Sequence, residues 1–286
     1  MSKLLVLIDG SVYARSVCEH AAWVASSTGQ GVELLHVIGR REGDDAHGRR
    51  DYSGSLAMGA RRALLKELSD LDAQRAKLGL ERGRAMLSEA EAILREGGVE
   101  EVSSSLRTGD LIEEATAREN GAAMMVVGKR GEAADFARLH LGSNVERLAR
   151  ASRLPVLVTA RAFKPVRRVL VAHDAGPSIM KAVDHMARSP LFEGLDVTLL
   201  RVGRRDEAGE RSMKRAVDML GGAGIKAHVT FAEGEPERVI GERVEEQGFD
   251  MVVMGAYGHS RIRSLVIGST TAEVMRACRV PLLLFR

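Results

Sequence analysis

Cysteine is scarce in this chain, and the two copies present give no sign of metal or redox chemistry. Cys18 and Cys278 lie far apart, and the sequence contains no Cys-x-x-Cys or His-x-x-x-His pair. Structural zinc sites and redox dithiols need ligands at such close spacings. Each cysteine also falls in a segment with helical periodicity. We therefore predict no metal ligands and expect both cysteines to be small buried apolar residues.

Aromatic residues and clustered positive charge are also few. Aromatic side chains make up 3% of the sequence, and the formal net charge is only +3. Nucleic-acid binding usually shows clustered Lys and Arg, and single-strand binding adds stacking aromatics. The loop Gly128-Lys129-Arg130-Gly131 could mimic a KH-domain loop, but it follows a predicted strand instead of joining two helices. We predict no nucleic-acid partner.

Long apolar runs are missing near the N-terminus. The longest run there is residues 4–8, and Asp9, Gly10 and Ser11 follow it directly. This run is too short for a signal-peptide core or a membrane span, so we expect a cytoplasmic protein without a membrane partner. A length of 286 residues suits two domains that each bury a core.

Recognisable catalytic groups are missing as well. No paired carboxylates, Ser-His-Asp arrangement or P-loop lysine is evident in the sequence. Without a general base or a transition-state clamp, no catalytic residue can be assigned.

A pattern suited to phosphate binding is present near the end of the chain. Residues 251–254 form a short apolar run, which predicts a strand buried on both faces. Gly255 and Gly258 leave this strand, and after nine further residues Gly268-Ser269-Thr270 enters a predicted helix. Backbone N–H groups and the dipole at a helix start favour phosphate, while glycines permit close approach and hydroxyls can donate hydrogen bonds. The spacing is neither a P-loop nor Gly-x-Gly-x-x-Gly. The alternative is that the glycines only make tight turns.

The chain contains its main sequence landmarks twice. Six landmarks recur in one order: residues 4–11 and 169–176, 32–37 and 197–202, 108–112 and 233–237, 124–131 and 252–258, 141–144 and 267–270, and 154–158 and 280–284. This pattern predicts a tandem repeat with a linker at residues 160–168. The predicted domains are residues 1–162 and 166–286.

Apolar runs alternate with amphipathic helical stretches in each half. In the first half the predicted strands are residues 3–8, 32–38, 100–107, 122–128 and 155–159. Such alternation predicts an α/β fold with a parallel, doubly wound sheet and helices on both faces. Ligands bind such sheets at the carboxyl ends of the strands, and the glycine pattern lies at such an end.

The first domain carries extra sequence at about residues 41–80. Leu64, Leu65, Leu68 and Leu71 form one apolar helical stripe, and the segment containing Gly79 and Gly83 interrupts the pattern before it resumes. We predict a separate inserted helix followed by the ordinary second helix of the domain. The stripe favours core or partner-facing packing over a cofactor site. A role of the insertion in dimerisation or regulation is a hypothesis.

The glycine pattern and its flanks resemble the ATP-binding motif of the universal stress protein family. Val252-Val-Met-Gly255 precedes the pattern, and a strand opened by Pro281 follows it. The resemblance covers both halves and implies two tandem Rossmann-like or flavodoxin-like domains of the adenine nucleotide α-hydrolase type, each with five parallel strands. It also implies that the last strands, at residues 155–159 and 281–285, pair into an internal pseudo-dimer. A further homodimer is consistent with this arrangement.

The resemblance implies which residues bind the nucleotide. In the second half they are Asp174 for the ribose, Val202 for the adenine pocket, and Gly255, Gly258, Gly268, Ser269 and Thr270 for the phosphates. The first-half counterparts are Asp9, Val37, Gly128, Gly131, Gly142, Ser143 and Asn144. The first half departs from the pattern, because ten residues separate Gly131 from Gly142 and Asn144 replaces the threonine. Asp9 and Asp174 have a structural alternative as strand-end residues that stabilise a turn.

Two neighbouring basic residues add charge to the first site. Lys129 and Arg130 would lie near the phosphates, or alternatively form a solvated loop tip.

The implied function is ATP binding in the stress response, with nucleotide-dependent switching of conformation or partners. Mg²⁺ would arrive with the phosphates, and hydrolysis or autophosphorylation would be slow at most. Two alternatives stay open: a nucleotide hydrolase or adenylating enzyme, and an interaction module whose pockets are empty or hold another small ligand.

Overall fold

The computed structural model describes residues 2–39, 58–131, 143–256 and 268–286, with the backbone alone for residues 58–64 and 143. Strands and helices alternate along these residues. The strands are β1 (Lys3–Leu7), β2 (Val32–Gly39), β3 (Val102–Gly109), β4 (Ala122–Gly128), β5 (Val156–Thr159), β6 (Arg168–Ala172), β7 (Asp196–Val202), β8 (Ala227–Ala232), β9 (Met251–Gly255) and β10 (Leu282–Phe285). The helices are α1 (Ala14–Thr28), α2 (Met58–Glu96), α3 (Leu111–Thr116), α4 (Ser143–Ala151), α5 (Pro177–Arg188), α6 (Glu207–Gly222), α7 (Pro236–Gln247) and α8 (Ser269–Ala277).

All of these strands join one ten-stranded sheet in the order β3-β2-β1-β4-β5-β10-β9-β6-β7-β8. Within each half the neighbouring strands are parallel. Each half therefore has the strand order 3-2-1-4-5. The second and fourth strands lie on opposite sides of the first strand, so the strand order switches there. This is the order of the first five strands of the Rossmann fold, 3-2-1-4-5-6, and not the flavodoxin order 2-1-3-4-5. The predicted fold class of two tandem five-stranded parallel α/β units is confirmed.

The two halves meet where β5 and β10 pair in the antiparallel direction. Leu157 lies opposite Leu283, and Val156 and Val158 lie opposite Leu284 and Leu282. All of these side chains are buried. The expected pairing of the two last strands is thus confirmed, and one continuous sheet forms the centre of the molecule.

Apolar side chains on the two faces of the sheet form two core layers. One layer receives residues of α1, α2, α5 and α6, and the other receives residues of α3, α4, α7 and α8. Successive strand residues alternate between the layers, as Leu282 and Leu283 do, because side chains in a strand point to opposite faces. This explains why the strands read as unbroken apolar runs in the sequence.

The predicted separate inserted helix is wrong. Residues 58–96 form one continuous helix, α2, of 39 residues. A glycine within a helix costs only about 1 kcal/mol relative to alanine, so Gly79 does not end it. At Gly83 a Cβ would lie 2.8 Å from Leu106 Cδ1 and 3.0 Å from His36 Cδ2. Gly83 therefore serves close packing of α2 on the sheet. Residues 41–57 of the predicted insertion lie outside the described residues.

The connection between the halves packs against the first half. The ring of Phe163 stands edge-on to His20 of α1, with 5.0 Å between centroids, and Val166 is buried in the core. The predicted domain boundary at residues 163–165 stays a prediction.

Both cysteines are buried, as expected from the sequence. Burial raises the pKa of Cys18 to about 12 and that of Cys278 to about 11. The helical assignment of Cys278 is wrong, because α8 ends at Ala277 and Cys278 is the residue after it.

Among the described helices, none combines the length and the apolar character that crossing a membrane would require.

Candidate functional site

The end of β9 and the start of α8 are joined by hydrogen bonds. Thr271 Oγ1 donates to the carbonyl oxygen of Gly255 at 3.1 Å, and the Gly268 N–H donates to the carbonyl oxygen of Ala256 at 3.2 Å. The structure thus brings Gly255 and Gly268 together across the residues that separate them in sequence. Thr271 was not among the sequence-predicted site residues. Its signal was its place on the apolar face of the helix, where a hydroxyl needs a partner.

The first turn of α8 offers hydrogen-bond donors at this junction. Gly268 is the N-cap residue, and no side chain among the described residues caps it. Ser269 is exposed, and Thr270 is half-buried. The first N–H groups of a helix have no partner within the helix, and the dipole makes this end favourable for negative charge. The arrangement suits a phosphate group.

Asp174 lies just beyond β6, on the strand that neighbours β9. Its Oδ1 accepts a hydrogen bond from the Gly176 N–H at 2.8 Å, and a Cβ at Gly176 would lie 3.0 Å from the same oxygen. Between them, Ala175 has a φ of 64°, the one positive value at a non-glycine residue in the described chain. This conformation is costly for alanine and persists where surrounding contacts impose it. The turn fixes the carboxylate at the carboxyl edge of the sheet.

Asp9 has an equivalent setting in the first half. Its Oδ1 accepts a hydrogen bond from the Ser11 N–H at 3.1 Å. A Cβ at Gly131 would lie 3.1 Å from Asp9 Oδ2, so the structure brings these two predicted residues together. At Gly128 a Cβ would lie 2.8 Å from Tyr13 Cβ, which leaves no room for a side chain. Gly128 is therefore needed for the packing of α1 on β4.

Neither interpretation of Lys129 from the sequence is correct. The side chain is buried, and its Nζ donates to the carbonyl oxygen of Cys278 at 2.5 Å and approaches that of Arg276 at 3.5 Å. Burial lowers the pKa of Lys129 to about 8. Lys129 thus binds the carboxyl end of α8, in the other half, instead of lying beside phosphates or in a solvated loop tip.

Of the remaining predicted site residues, some lie within the described parts of the chain and others lie outside them. Val37 in β2 and Val202 at the end of β7 are half-buried and pack against the same core layer as α8. Ser143 begins α4, and Asn144 is exposed in its first turn. Gly142 and Gly258 lie outside the described residues.

His173 directly precedes Asp174 and is buried. Its Nδ1 accepts a hydrogen bond from the Ala175 N–H at 3.2 Å, and its Nε2 lies 3.5 Å from Ser212 Oγ. A neutral ring with its proton on Nε2 satisfies both contacts. Burial lowers the pKa of His173, although the neighbouring Asp174 opposes this effect. The ring thus serves as a neutral support for the turn that holds Asp174.

The buried His20 and the half-buried His185 share this behaviour, and the three histidines predict how stability depends on pH. Burial lowers the pKa values of His20 and His185 below 6.5, as it does for His173. Below about pH 6.5 the unfolded chain therefore binds more protons than the folded chain, and stability falls as the pH falls. We expect the midpoint of urea unfolding to decrease from pH 7.5 to pH 5.5, and His20→Phe to reduce this decrease. The exposed His228→Gln is the control and should leave it unchanged; a midpoint independent of pH would contradict the prediction.

His36 gave no interpretable pattern in the sequence, but the structure gives it a partner. Its Nδ1 donates to the carbonyl oxygen of Ile8 at 2.7 Å, immediately before Asp9. Arg201 is the register equivalent in β7 and packs against Gly209 of α6, as His36 packs against Gly83 of α2. In both halves a polar side chain beneath a helix glycine therefore lies beside the candidate site.

The fold and site define an α/β protein of two fused Rossmann-like halves with a glycine- and hydroxyl-lined helix start at the carboxyl edge of the sheet. The family model described as "Universal stress protein family" matches residues 1–160 and 204–286. The unmatched stretch holds β6, α5 and β7, and with them Asp174. The chain is 36% identical over 288 residues to universal stress protein Slr1230 of Synechocystis, covering 100% of both chains. The chain belongs to the universal stress protein family.

Two further comparisons cover a part of the chain and nearly the whole of it. Universal stress protein YxiE of Bacillus subtilis is 24% identical over 145 residues, which is 42% of this chain and 98% of that protein. The crystal structure of a universal stress protein from Archaeoglobus fulgidus superposes with a TM-score of 0.73 at 19% identity, covering 99% of this chain and 98% of that one. The latter likeness extends the fold over both halves.

Proposed function

We propose that this universal stress protein binds ATP at the second-half site and uses its occupancy to switch conformation or partner affinity in the stress response. The observation that carries the proposal is the hydrogen-bonded junction of β9 and α8, where Thr271 and Gly268 hold a helix start without a side-chain cap beside Gly255. Such a junction presents donors to a group with negative charge.

The residues present fit the chemistry of an adenine nucleotide. The N–H groups of α8, with the hydroxyls of Ser269 and Thr270, suit phosphate oxygens. The carboxylate of Asp174 can accept hydrogen bonds from ribose hydroxyls, as acidic residues do in related folds. Val202 supplies apolar surface and a backbone edge for the base. Among the described residues no group of three His, Cys, Asp or Glu could hold a metal ion, so we assign Mg²⁺ to the phosphates.

The first-half site is proposed as the weaker of the two. Asp9 and Gly131 are close, as a ribose site would need. Lys129 contributes no charge there, because it binds the carbonyl oxygen of Cys278. We further propose a cytoplasmic protein whose domains are residues 1–162 and 166–286.

Titration calorimetry of the full chain with Mg-ATP, Mg-ADP and Mg-GTP tests the proposal. We expect the adenine nucleotides to bind, and Asp174→Ala to weaken ATP binding because a charged acceptor for the ribose is lost. Loss of a hydrogen bond to a charged group costs about 1.5–3 kcal/mol, which corresponds to roughly 10- to 150-fold in Kd. Asp218→Ala, at an exposed position of α6, is the matched control and should bind as the wild type does.

Three outcomes would overturn parts of the proposal. If no adenine nucleotide binds, the chain is an interaction module or holds another ligand. If Asp174→Ala binds ATP unchanged, the nucleotide lies elsewhere. If phosphate release is fast and is lost in Ser269→Ala, the protein is a dedicated nucleotide hydrolase.

A further inference from the structure

The turn that carries Asp174 is held by hydrogen bonds from two consecutive backbone N–H groups. The Ala175 N–H donates to Nδ1 of His173 at 3.2 Å, and the Gly176 N–H donates to Oδ1 of Asp174 at 2.8 Å. The two bonds orient the peptide groups on both sides of Ala175. Because the backbone angles of Ala175 relate these two peptide groups, the bonds together hold the turn in one conformation.

The two halves differ at the positions that make this turn. Ala175 has a φ of 64°, a value that is costly for a residue with a Cβ and persists where contacts impose it. In the first half, Ile8 and Gly10 stand at the positions of His173 and Ala175. Glycine adopts either sign of φ without steric cost, and isoleucine offers no acceptor. The second half therefore combines a strained residue with a histidine that supports it, and the first half has neither.

Packing holds the ring of His173 beside the turn. The residue is 2% exposed, and its backbone N–H donates to the carbonyl oxygen of Leu200 in β7 at 2.8 Å. On the other side of the ring, Nε2 lies 3.5 Å from Oγ of Ser212 in α6. The same hydroxyl lies 3.7 Å from the sulfur of Met180 in α5. Contacts from a strand and from α6 therefore fix where Nδ1 lies relative to the Ala175 N–H.

Protonation of the ring would remove the acceptor for the Ala175 N–H. Both ring nitrogens of a charged histidine are donors, so a protonated Nδ1 would set one donor against another. Burial lowers the pKa of His173, and the Asp174 carboxylate opposes this effect. The Arg201 guanidinium, which lies 3.4 Å from Asp206, adds to the lowering. The ring is therefore neutral at pH 7.5 and becomes charged only below its ordinary pKa of about 6.5.

We propose that His173 is a positioning residue for the nucleotide of the second half: its neutral ring holds the Asp174 turn, and protonation of the ring weakens binding. The inference rests on the proposed function, in which Asp174 accepts hydrogen bonds from the ribose. A carboxylate that is already held in place binds without first being ordered, so a loosened turn lowers the affinity although no contacting group is lost.

The sign of the pH dependence separates this role from an electrostatic one. A positive ring that acted only through its charge would attract an anionic nucleotide, so binding would tighten as the pH falls. Loss of the support for the turn has the opposite effect. The first half, which has Ile8 in place of the histidine, lacks this source of pH dependence.

Titration calorimetry of the full chain with Mg-ATP tests this proposal with two variants, His173→Asn and His173→Leu. All proteins carry Asp9→Ala, so that the first site contributes little, and the chain with this change alone is called the parent. Asparagine can place an acceptor oxygen where Nδ1 lies, and leucine has a similar shape without an acceptor. At pH 7.5 we expect His173→Asn to bind nearly as the parent does. His173→Leu should bind about 2- to 12-fold more weakly, the range for one neutral hydrogen bond.

The pH dependence is measured against His173→Asn, which reports the titration of the nucleotide and of all other groups. NMR of the ring nitrogens gives the pH at which half of the His173 rings are protonated. At that pH the Kd of the parent should have risen about twofold more than that of His173→Asn, because only half of the molecules are competent to bind. His228→Asn, at an exposed position of β8, is the matched control and should follow the parent.

Circular dichroism checks that each protein is folded at each pH. If His173→Leu binds as tightly as His173→Asn, the acceptor is not needed and the proposal is overturned. A parent that shows the pH dependence of His173→Asn, or that binds more tightly at low pH, overturns it as well. A parent that binds no adenine nucleotide contradicts the proposed function instead. The ring nitrogens then test the support of the turn alone, since a proton on Nδ1 at pH 7.5 would contradict it.

Discussion

Gly268→Val is expected to abolish the thermal stabilisation that Mg-ATP gives to the wild-type chain. A ligand at about 100 times its Kd that binds only the folded state stabilises by roughly 2.7 kcal/mol. For a chain of this size that corresponds to a rise in Tm of roughly 4–5 °C. A β-branched side chain at the N-cap of α8 would occupy the space in which a phosphate must approach the backbone. The Tm of both proteins is measured with and without Mg-ATP.

The variant isolates binding from folding. Gly268 has a φ of −56° and a ψ of 137°, a conformation that valine adopts without strain. Because valine is a poorer N-cap residue than glycine, the Tm of each protein with nucleotide is compared with its own Tm without nucleotide. Gly241→Val in α7 is the matched control, because a Cβ there meets no atom within 4 Å. A nucleotide-induced shift that survives in Gly268→Val would place the phosphates away from α8.

Leu157→Ala and Leu283→Ala are each expected to lower the free energy of unfolding by about 2–5 kcal/mol, the range for buried leucines whose removal leaves a cavity. Both side chains are buried, at 1% and 0% exposure, and they lie opposite each other where the halves join. Because they share this contact, the double variant should lose less than the sum of the single losses, by about 0.5–3 kcal/mol. Urea unfolding followed by circular dichroism measures all four proteins.

The control for this experiment is Val229→Ala in the outer strand β8. Val229 is 44% exposed, so the substitution should change the free energy of unfolding by no more than about 0.5 kcal/mol. If the effects of Leu157→Ala and Leu283→Ala simply add, the β5–β10 contact does not couple the halves. Two separate unfolding transitions would likewise show that each half folds on its own.

The fold was predictable because its signals are local and repeated. Buried strands such as β9 read as apolar runs that end at glycine, and the same order of landmarks occurs twice. The alternation of strands and helices then leaves few topologies. The pairing of β5 with β10 is different: both strands are short apolar runs, and their pairing followed only from the family resemblance. No residue pattern within either run indicates that the two strands pair.

The parts that sequence reasoning missed depend on contacts between distant residues. Lys129 looks like any basic residue after a strand, and only the packing of α8 against the first half gives it carbonyl partners. Gly83 resembles a helix breaker, but its neighbours Leu106 and His36 explain it as a close approach. Thr271 follows two residues that carry the family motif, and its hydroxyl matters because the end of β9 lies beneath it. The role of each residue therefore became clear only from the packed structure.

The antiparallel pairing of β5 with β10 also determines at which edge of the sheet each candidate site lies. Because the strands of one half run opposite to those of the other, the carboxyl ends of the two half-sheets lie at opposite edges of the sheet. Two nucleotides bound there would have no direct contact. The helix α8 nevertheless spans the distance between the sites, because it begins at Gly268 in the second site and ends where Lys129, next to Gly128 of the first site, holds its last carbonyl oxygens. One short helix therefore connects the two opposite edges of the sheet at which the candidate sites lie.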